Sequence, residues 1–326
     1  MTLARPLRVV VLMPLRDDWA SASELIRRLD QTISPTLCNM EILLVDDGSL
    51  QRCPLQDFQG IFSTIQRVRS LRLRRNLGHQ RAIAVGLVFV QQAIPCDAVV
   101  VMDADGEDTQ DGVAQLLRAF VETEGTQVIF AERSRRLESI SFRFFYWIYK
   151  RLHRILTGID VRVGNFSILP ANFLGTMVVL SELWNHYAAA VFRSRLPFSM
   201  TPIPRGQRIA GKSTMNFVAL VTHGLSAIAV FGDVVGVRLL IGSLLGSMLA
   251  GLGILIVIGI RFLTRLAIPG WATYASGVLA IIMIQLITIA TCFTFFVLAN
   301  RTELGFVPLR DYAFFVEDTV TVFPHE

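Results

Sequence analysis

Cysteine and histidine are scarce in this sequence, with four and five residues among 326. The cysteines show neither the paired spacing of a zinc site nor a disulfide framework, and the histidines form no cluster. These absences exclude a small disulfide-stabilised protein and a cysteine–histidine metal site. The cysteines are predicted to be reduced thiols, at Cys38, Cys53, Cys96 and Cys292.

The sequence also lacks internal repeats, low-complexity tracts and any recognisable nucleic-acid-binding module. Its net charge of +5 and pI near 9.3 suit an anionic membrane surface, whereas basic charge alone does not indicate nucleic acid. The first residues show no long apolar run before Asp17 and Asp18, so no signal peptide is expected. We therefore expect membrane but no nucleic acid among the partners.

Charged residues are absent from two long stretches near the C-terminus, Leu239–Ile260 and Leu266–Asn300. Each stretch is long enough to cross the hydrocarbon core of a bilayer, and the mean hydropathy of +0.51 is high for a soluble protein. We predict two transmembrane helices, at about 239–261 and 275–299, joined by a short turn. Two buried helices of a soluble domain are the alternative.

Small and basic residues support the transmembrane hairpin. Gly242, Gly246 and Ala250 would give the first helix a face for close packing. Arg238 lies just before the first predicted span and Arg301 just after the second. The positive-inside rule places such basic flanks on the cytoplasmic side. Two spans would leave both ends of the chain on the same, cytoplasmic side.

Acidic residues follow three apolar, strand-like segments in the first third of the chain. They are Asp17 and Asp18 after Pro14, Asp46 and Asp47 after Val45, and Asp103 and Asp105 after Met102. Helix-like segments separate the strands, which predicts a parallel sheet with crossover helices. Ligands bind beyond the carboxyl ends of such strands, and an Asp-X-Asp pair suits Mg²⁺ or Mn²⁺ that also holds phosphates. A solvated acidic turn is the alternative reading of each motif alone.

Three motifs together resemble those of family 2 glycosyltransferases with a GT-A fold: Asp46-Asp47-Gly48-Ser49, Asn76-Leu77-Gly78 and Met102-Asp103-Ala104-Asp105. The chain is most similar to the polyprenyl-phosphate glycosyltransferases of that family, such as dolichol-phosphate mannose or glucose synthases. The resemblance extends from about Arg8 to Gly211 and more loosely into the apolar segments. It implies a GT-A (Rossmann-like) α/β domain with a mostly parallel sheet, followed by a two-helix transmembrane hairpin.

The resemblance also implies roles for the matching residues. The donor-binding residues would be Pro14, Asp18, Asp46, Asp47, Asp103, Arg133 and Arg136. Asp105, with Asp103, would hold the Mg²⁺ or Mn²⁺ that bridges the diphosphate. Arg205 and Arg208 match a late Arg-X-X-Arg-X-X-Gly-X-Ser stretch, where two guanidiniums can hydrogen-bond phosphate bidentately. The catalytic set would therefore be Asp105, Arg205 and Arg208.

The chain departs from the family pattern in two loops. Gly106-Glu107-Asp108-Thr109 replaces the usual Leu-Gln-Asp-Pro, and Gly164-Asn165-Phe166-Ser167 replaces a Gly-Asp-Phe-Arg turn whose Asp is a candidate base. Asn165 cannot accept a proton as a carboxylate can. A phosphate monoester, whose second pKa is near 6, needs less help from a general base than a hydroxyl does. We therefore interpret Asn165 as favouring a phosphate acceptor.

The resemblance, together with the apolar segments and Asn165, implies an inverting membrane enzyme that moves a sugar from a nucleotide-diphosphate sugar to a polyprenyl (undecaprenyl or dolichyl) phosphate. A glycosyltransferase with a hydroxyl acceptor is one alternative, although the Gln-X-X-Arg-Trp motif of processive relatives is absent. A non-catalytic scaffold is the other. The expected location is a cell inner membrane or an endoplasmic-type membrane, and both a monomer and a homo-oligomer remain open.

The expected organisation has four parts. A cytoplasmic catalytic domain at 1–215 is followed by an amphipathic juxtamembrane segment at 216–237. The two transmembrane helices occupy 238–300, and a cytoplasmic tail occupies 301–326. Aromatic and basic residues alternate in Ser141–Thr157, which predicts either a helix in the headgroup layer or a core-packing helix with a basic edge.

Overall fold

The computed structural model describes residues 5–60, 62–133, 151–158, 163–210, 217–264, 268–302 and 305–324. These residues form two compact units. The first unit contains residues 1–140, 161–230 and 306–326, and the second contains residues 141–160 and 231–305.

The first unit is built on one eight-stranded sheet with the order β7-β5-β6-β4-β1-β2-β3-β8. The strands are β1 Leu7–Leu15, β2 Cys38–Asp46, β3 Ile65–Leu73, β4 Ala98–Val101, β5 Val128–Arg133, β6 Val163–Pro170, β7 Phe198–Ile203 and β8 Val316–Phe323. Strands β4, β1, β2 and β3 are mutually parallel, whereas β6 and β8 run antiparallel to their neighbours. The predicted mostly parallel α/β sheet is therefore confirmed.

Helices cover both faces of the sheet. The helices among the described residues include α1 Trp19–Thr32, α2 His79–Ala93, α3 Gln110–Glu122, α4 Leu174–Val178, α5 Tyr187–Arg193, α6 Phe217–Ala229, α7 Gly232–Leu263, α8 Trp271–Thr302 and α9 Pro308–Asp311, of which α7 and α8 belong to the second unit and not to the sheet domain. Alternate residues of β1 enter different cores. Val9 and Val11 pack with α1 and α3, whereas Val10 and Leu12 pack with α2. Strands covered on both faces need continuous apolar runs, which is the pattern in the sequence.

The residues after the apolar helices return to the sheet. Strand β8 pairs antiparallel with β3, opposite Ser70 and Leu71 among others, and so covers an edge that β3 would otherwise expose. Trp184 stacks with Phe306 and Phe315, which fixes the approach to β8. The last segment, expected from the sequence to be a tail, is thus part of the central sheet.

The second unit contains the two long apolar helices of the predicted hairpin. Both exceed the predicted spans, because helix continues through flanking residues on each side of the apolar run. In the most apolar 18-residue stretch of each helix, only 17% of the residues of α7 and 6% of those of α8 are buried. A helix in the core of a soluble protein would be mostly buried. Within the described part of the chain, these two helices are long and apolar enough to cross a membrane.

Small residues set the contact between α7 and α8. A Cβ on Gly246 would lie 2.9 Å from Leu286, and one on Gly253 would lie 3.0 Å from Leu279. Ala250 is buried, as predicted for the small-residue face, but Gly242 faces open space. The buried positions Gly236, Ser243, Ala250 and Val257 recur every seven residues, the period of a left-handed helix pair.

The amphipathic segment proposed at Ser141–Thr157 lies largely outside the described residues. Residues 151–157 are helical. Arg238 donates to the carbonyl of Ile155 at 2.7 Å, near the C-terminal end of this helix, where a positive charge is favourable.

Candidate functional site

The carboxyl ends of β1, β2 and β4 bring the acidic motifs to one edge of the sheet. Leu15 pairs in register with Asp46, and the Met102 amide donates to the Leu12 carbonyl at 3.1 Å. The three pairs of aspartates lie at the ends of these strands or in the loops that follow them. This is the edge at which parallel α/β sheets bind ligands. Pro14 lies one residue before the end of β1 and is buried beside Val45.

The two aspartates after β2 are bound by backbone amides. Asp46 accepts the Ser49 N–H at 2.7 Å, and Asp47 accepts the N–H groups of Leu77 and Gly78 at 2.6 and 2.9 Å. Burial raises the pKa of Asp47, and its two amide donors oppose that rise. Asp47 thereby ties the turn 46–49 to the loop that starts α2. Both carboxylates of this turn thus have partners within the protein.

Glycine is required where this turn meets the next loop. Gly48 has a φ of +69°, and a Cβ there would lie 2.7 Å from the amide nitrogen of Asn76. A side chain would therefore suffer both a left-handed backbone and a backbone clash. The Gly in the Asp-Asp-Gly-Ser motif permits the close approach that Asp47 then secures.

The two aspartates after β1 have different surroundings. Asp17 has a φ of +58°, and its carboxylate accepts the Leu50 N–H at 2.8 Å, so it joins two loops. Asp18 faces the site. Burial raises the pKa of Asp18, with further increases from Asp105 and Asp17, while Arg208 opposes them. Asp18 thus belongs to the same charge cluster as the Asp-X-Asp motif.

The Asp-X-Asp loop is internally braced. Asp108 accepts the Asp103 N–H at 3.0 Å, and Asp105 accepts the Glu107 N–H at 2.9 Å. Gly106 has a φ of +87°, and a Cβ on it would lie 2.5 Å from the side chain of Ile209. The glycine that departs from the family pattern therefore gives space to a second loop.

That second loop, residues 204–209, is here called the arginine loop. It lies across the Asp-X-Asp loop through two backbone hydrogen bonds, in which Gly206 donates to the Glu107 carbonyl and Ile209 to the Asp105 carbonyl, both at 2.9 Å. Arg208 donates to Asp105 Oδ2 at 2.6 Å. Arg205 forms an ion pair with Glu107. Residues that are about 100 positions apart in the sequence are thereby brought together.

Charge in this corner is only partly balanced. Burial raises the pKa of Asp105 and the nearby Asp103 raises it further, while Arg208 and Arg205 oppose both. Burial also lowers the pKa of Arg205. Half-buried carboxylates and guanidiniums at one strand end are groups that can bind a cation and a negatively charged ligand together.

A polar chain that the sequence did not predict leads away from Asp103. His79 Nε2 lies 3.2 Å from Asp103 Oδ1 and 3.0 Å from Asn165 Nδ2. Gln80 Nε2 donates to Asn165 Oδ1 at 3.1 Å, and the Tyr187 N–H donates to Gln80 Oε1 at 2.7 Å. A backbone N–H can only donate, so it fixes the orientation of Gln80 and hence of the Asn165 amide. Asn165 therefore points its NH₂ group at His79.

Of the two other predicted arginines, only Arg133 lies among the described residues. Arg133 is the last residue of β5 and pairs in register with Ile203, just before the arginine loop. Arg136 lies outside the described residues. The backbone position of Arg133 is thus close to the start of the arginine loop.

The donor set suits a hard divalent cation that takes only part of its coordination from protein. Asp103 and Asp105 provide carboxylate oxygens, and no group of three or more His, Cys, Asp or Glu side chains placed to hold a metal occurs among the described residues. Mg²⁺ is commonly held by one or two carboxylates together with phosphates and water. The residues present therefore fit a cation that arrives with, or is completed by, a diphosphate.

The chain is similar in sequence to known glycosyltransferases. A family model described as glycosyl transferase family 2 matches residues 10–174. The uncharacterized glycosyltransferase YkcC of Bacillus subtilis is 26% identical over 283 residues, which are 83% of each chain. An undecaprenyl-phosphate 4-deoxy-4-formamido-L-arabinose transferase of Edwardsiella ictaluri is 26% identical over 309 residues, which are 87% of this chain and 85% of that one.

A solved structure supports the fold. Glucosyl-3-phosphoglycerate synthase from Mycobacterium tuberculosis, in complex with Mn²⁺, UDP-glucose and phosphoglyceric acid, is 17% identical to this chain. It superposes with a TM-score of 0.51 and covers 71% of this chain and 80% of its own. The likeness confirms the predicted GT-A α/β fold.

Proposed function

The chain belongs to glycosyl transferase family 2, and from this premise we propose that it moves a sugar from a nucleotide-diphosphate sugar to a polyprenyl phosphate at a membrane. The coarser statement, that it is a glycosyltransferase, follows from the family match and from its relatives. The donor, the acceptor and the residue roles are the proposal.

The arginine loop supports this proposal most directly. It places the guanidiniums of Arg205 and Arg208 against the Asp-X-Asp loop, with Arg208 2.6 Å from Asp105. A transfer between a nucleoside diphosphate and a lipid phosphate brings several phosphate charges into one site. A guanidinium has five N–H donors, so each arginine can keep its carboxylate partner and still bind a phosphate oxygen.

The lipid acceptor is supported by the second unit and by a relative. Helices α7 and α8 expose most of their apolar surface, as helices that contact lipid do. The relative from Edwardsiella ictaluri is named as a transferase acting on undecaprenyl phosphate, and this chain aligns with 85% of its length. A polyprenyl phosphate would be held in the same bilayer that anchors the enzyme.

In the proposed mechanism, a phosphate oxygen of the lipid attacks the anomeric carbon while the bond to the donor diphosphate breaks, which inverts the configuration. Asp103 and Asp105 would hold Mg²⁺ or Mn²⁺, which when bound supplies positive charge to the leaving diphosphate. Arg205 and Arg208 bind the phosphates. Asp18, Asp46 and Asp47 shape the nucleotide side, two of them by fixing the turn 46–49. Arg133 and Arg136 are the further proposed phosphate contacts.

Asn165 favours a phosphate over a hydroxyl as the nucleophile. Its amide is oriented by Gln80 and points at His79, so this position offers no carboxylate to remove a proton. A lipid phosphate at neutral pH is already largely dianionic and needs no such group.

The order of elements along the chain favours a two-span topology. The sheet contains strands from before the apolar helices and, in β8, a strand from after them. If both helices cross the bilayer, the chain returns to the side from which it left. We propose that this side is the cytoplasm, where nucleotide sugars are made, and that the protein is a multi-pass membrane enzyme.

The test is transfer of radiolabelled sugar from a panel of nucleotide sugars to polyprenyl phosphate, with recovery of the product in butanol. We expect one donor to give a labelled, butanol-extractable lipid in the presence of Mg²⁺ or Mn²⁺. Label in a water-soluble glycan instead would show a hydroxyl acceptor. Absence of transfer from every donor, with the protein folded and its lipid present, would indicate a non-catalytic member and overturn the proposal.

A further inference from the structure

One arginine links the last strand to the turn proposed to receive the nucleotide. Arg72, on β3, donates from Nε to Glu317 at 3.1 Å and from Nη2 to the Ser49 carbonyl at 3.2 Å. Its Nη1 lies 3.7 Å from the carboxylate of Asp46. The planar guanidinium thus contacts β8 and both ends of the turn 46–49, at Asp46 and Ser49. An ammonium group has no such fixed fork.

A β-bulge places Glu317 at this position. In the pairing of β3 with β8, Leu73 is opposite Val316 and Arg72 is opposite Asp318, so Glu317 is an additional residue without a partner in the register. Bulges bend a strand and redirect a side chain, and they are frequent beside active sites. Here the bulged residue, Glu317, is the one that contacts Arg72.

The turn depends on Arg72 in two ways. Asp46 is 1% exposed, and a buried carboxylate needs nearby positive charge and hydrogen bonds. Arg72 provides the charge, and the Ser49 N–H provides a hydrogen bond at 2.7 Å. The Ser49 carbonyl accepts from Arg72, while its Oγ accepts the Asp17 N–H at 2.8 Å. Loss of the correct Arg72 orientation would therefore loosen both loops that border the nucleotide side.

We propose that Glu317 is a positioning residue for donor binding. It orients Arg72 from β8, and Arg72 holds the turn 46–49 in the form that receives the nucleotide part of the donor. The inference rests on the proposed function for the identity of the ligand. In this proposal β8, which follows the two apolar helices in the chain, contributes to donor binding.

The chain offers a matched control for this proposal. Glu317 and Asp318 are adjacent on β8 and have similar side-chain exposure, 36% and 37%, and both lie at a similar distance from Arg52, 3.7 and 3.9 Å. They differ in that Arg72 donates to Glu317 at 3.1 Å. The experiment compares Glu317→Gln with Asp318→Asn in the full-length protein. We expect Glu317→Gln to raise the KM for the nucleotide sugar about 3- to 5-fold, as loss of a partly exposed ion pair would, with kcat unchanged. Asp318→Asn should change neither.

Arg72→Lys tests whether the shape of the guanidinium matters in addition to its charge, because lysine keeps the positive charge but lacks the planar set of N–H donors. It should raise the same KM by more than Glu317→Gln does. Equal effects of Glu317→Gln and Asp318→Asn, or an unchanged KM in Glu317→Gln, would overturn the proposal.

Amide hydrogen exchange provides a readout that does not require the donor to be known. In the ligand-free protein, the amides of Ser49 and Leu50 should exchange faster in Glu317→Gln than in wild type, and at the wild-type rate in Asp318→Asn. Unchanged exchange would overturn the positioning role by itself. If wild type transfers no sugar from any donor, the proposed function fails, while the exchange comparison still decides whether Glu317 holds the turn.

Discussion

Aspartates at the strand ends differ in what binds their carboxylates. Those of Asp17, Asp46 and Asp47 accept backbone N–H groups, so they build the loops. Asp18 and Asp105 share a corner with Arg208, and Asp105 also accepts the Glu107 N–H. Burial raises the pKa of both, as it does for Asp47, but at Asp47 two amide donors oppose the rise. An ionised carboxylate with a raised pKa is one whose charge is poorly compensated, and a cation would relieve that cost. The second group is therefore the better candidate for ligand chemistry.

Substitution of Asp105 by Asn should remove most activity and leave the fold intact. The amide cannot supply the negative charge that a divalent cation needs, so we expect a rate loss on the order of 100-fold or more. Thermal stabilisation by Mn²⁺, measured on the purified protein, should also disappear. Asp111→Asn is the control, because Asp111 is exposed in the first turn of α3. Wild-type activity in excess chelator would contradict the metal assignment.

Asn165→Asp tests the nature of the acceptor. If the nucleophile is an ionised phosphate, a restored carboxylate should give little gain at pH 7.5. With a hydroxyl acceptor it could raise the rate by the roughly 10²- to 10⁴-fold of general base catalysis. Activity with polyprenyl phosphate should fall below about pH 6, because the phosphate then gains its second proton. The measurement is the pH–rate profile of wild type and of Asn165→Asp, each with lipid phosphate and with lipid alcohol. Turnover of the alcohol comparable to that of the phosphate would refute a phosphate nucleophile.

The motifs named the candidate site residues, but not how these residues contact each other. Asp105 and Arg208 were both predicted from motif matches, yet their ion pair spans 103 positions of sequence. Glu107 was noted only as a departure, and the structure gives it Arg205 as a partner. The chain from His79 to Tyr187 was not predicted, because its members belong to separate elements and only folding makes them neighbours.

At the scale of elements, the arginine loop and the Asp-X-Asp loop form one layer. Gly206 lets them approach, since a Cβ there would lie 2.7 Å from the Gly106 carbonyl and 2.5 Å from the side chain of Thr109. The arginine loop depends on the Asp-X-Asp loop for its position, because its backbone donates two hydrogen bonds to that loop. Changes in the distance between the two loops should therefore affect Arg205 and Arg208 first.

Gly206→Ala should displace the arginine loop. We expect kcat for transfer to lipid phosphate to fall about 10-fold or more, as misplacement of phosphate-binding groups does, with a smaller change in donor KM. Gly60→Ala is the control, because a Cβ on that exposed loop glycine would meet nothing within 4 Å. Steady-state kinetics with each substrate varied in turn provide the comparison. A donor KM that rises while kcat stays constant would assign the loop to the donor instead.

Prediction of the strands from sequence succeeded where both faces are buried. Strands β1, β2 and β4 contain apolar runs that lead into acidic residues, and each was predicted. Strand β8 was not predicted, because it is an edge strand with mixed polar and apolar residues and mostly exposed or half-buried side chains. Its partner β3 lies some 245 residues earlier in the chain, which no local pattern can reveal.

At the scale of the whole molecule, the apolar helices are an insertion between two parts of one domain. The first unit contains both the residues before α7 and the residues from Phe306 onward. Removal of everything after α6 would therefore remove the proposed membrane anchor and also an edge strand of the sheet. Removal of the anchor alone requires that β8 stay attached.

Two variants separate anchoring from folding. In the first, residues 231–304 are replaced by a Gly/Ser linker of about 20 residues, whose reach is roughly 25 Å; the second ends at Val230. The linker variant should leave the membrane fraction in high salt and unfold cooperatively, because β8 can still pair with β3. The truncated variant should aggregate or melt lower, since β3 becomes an unpaired edge. Fractionation and thermal unfolding by circular dichroism measure both. A linker variant that stays in the membrane at high salt would show that another segment inserts, and equal stability of the two variants would show that β8 adds nothing to the fold.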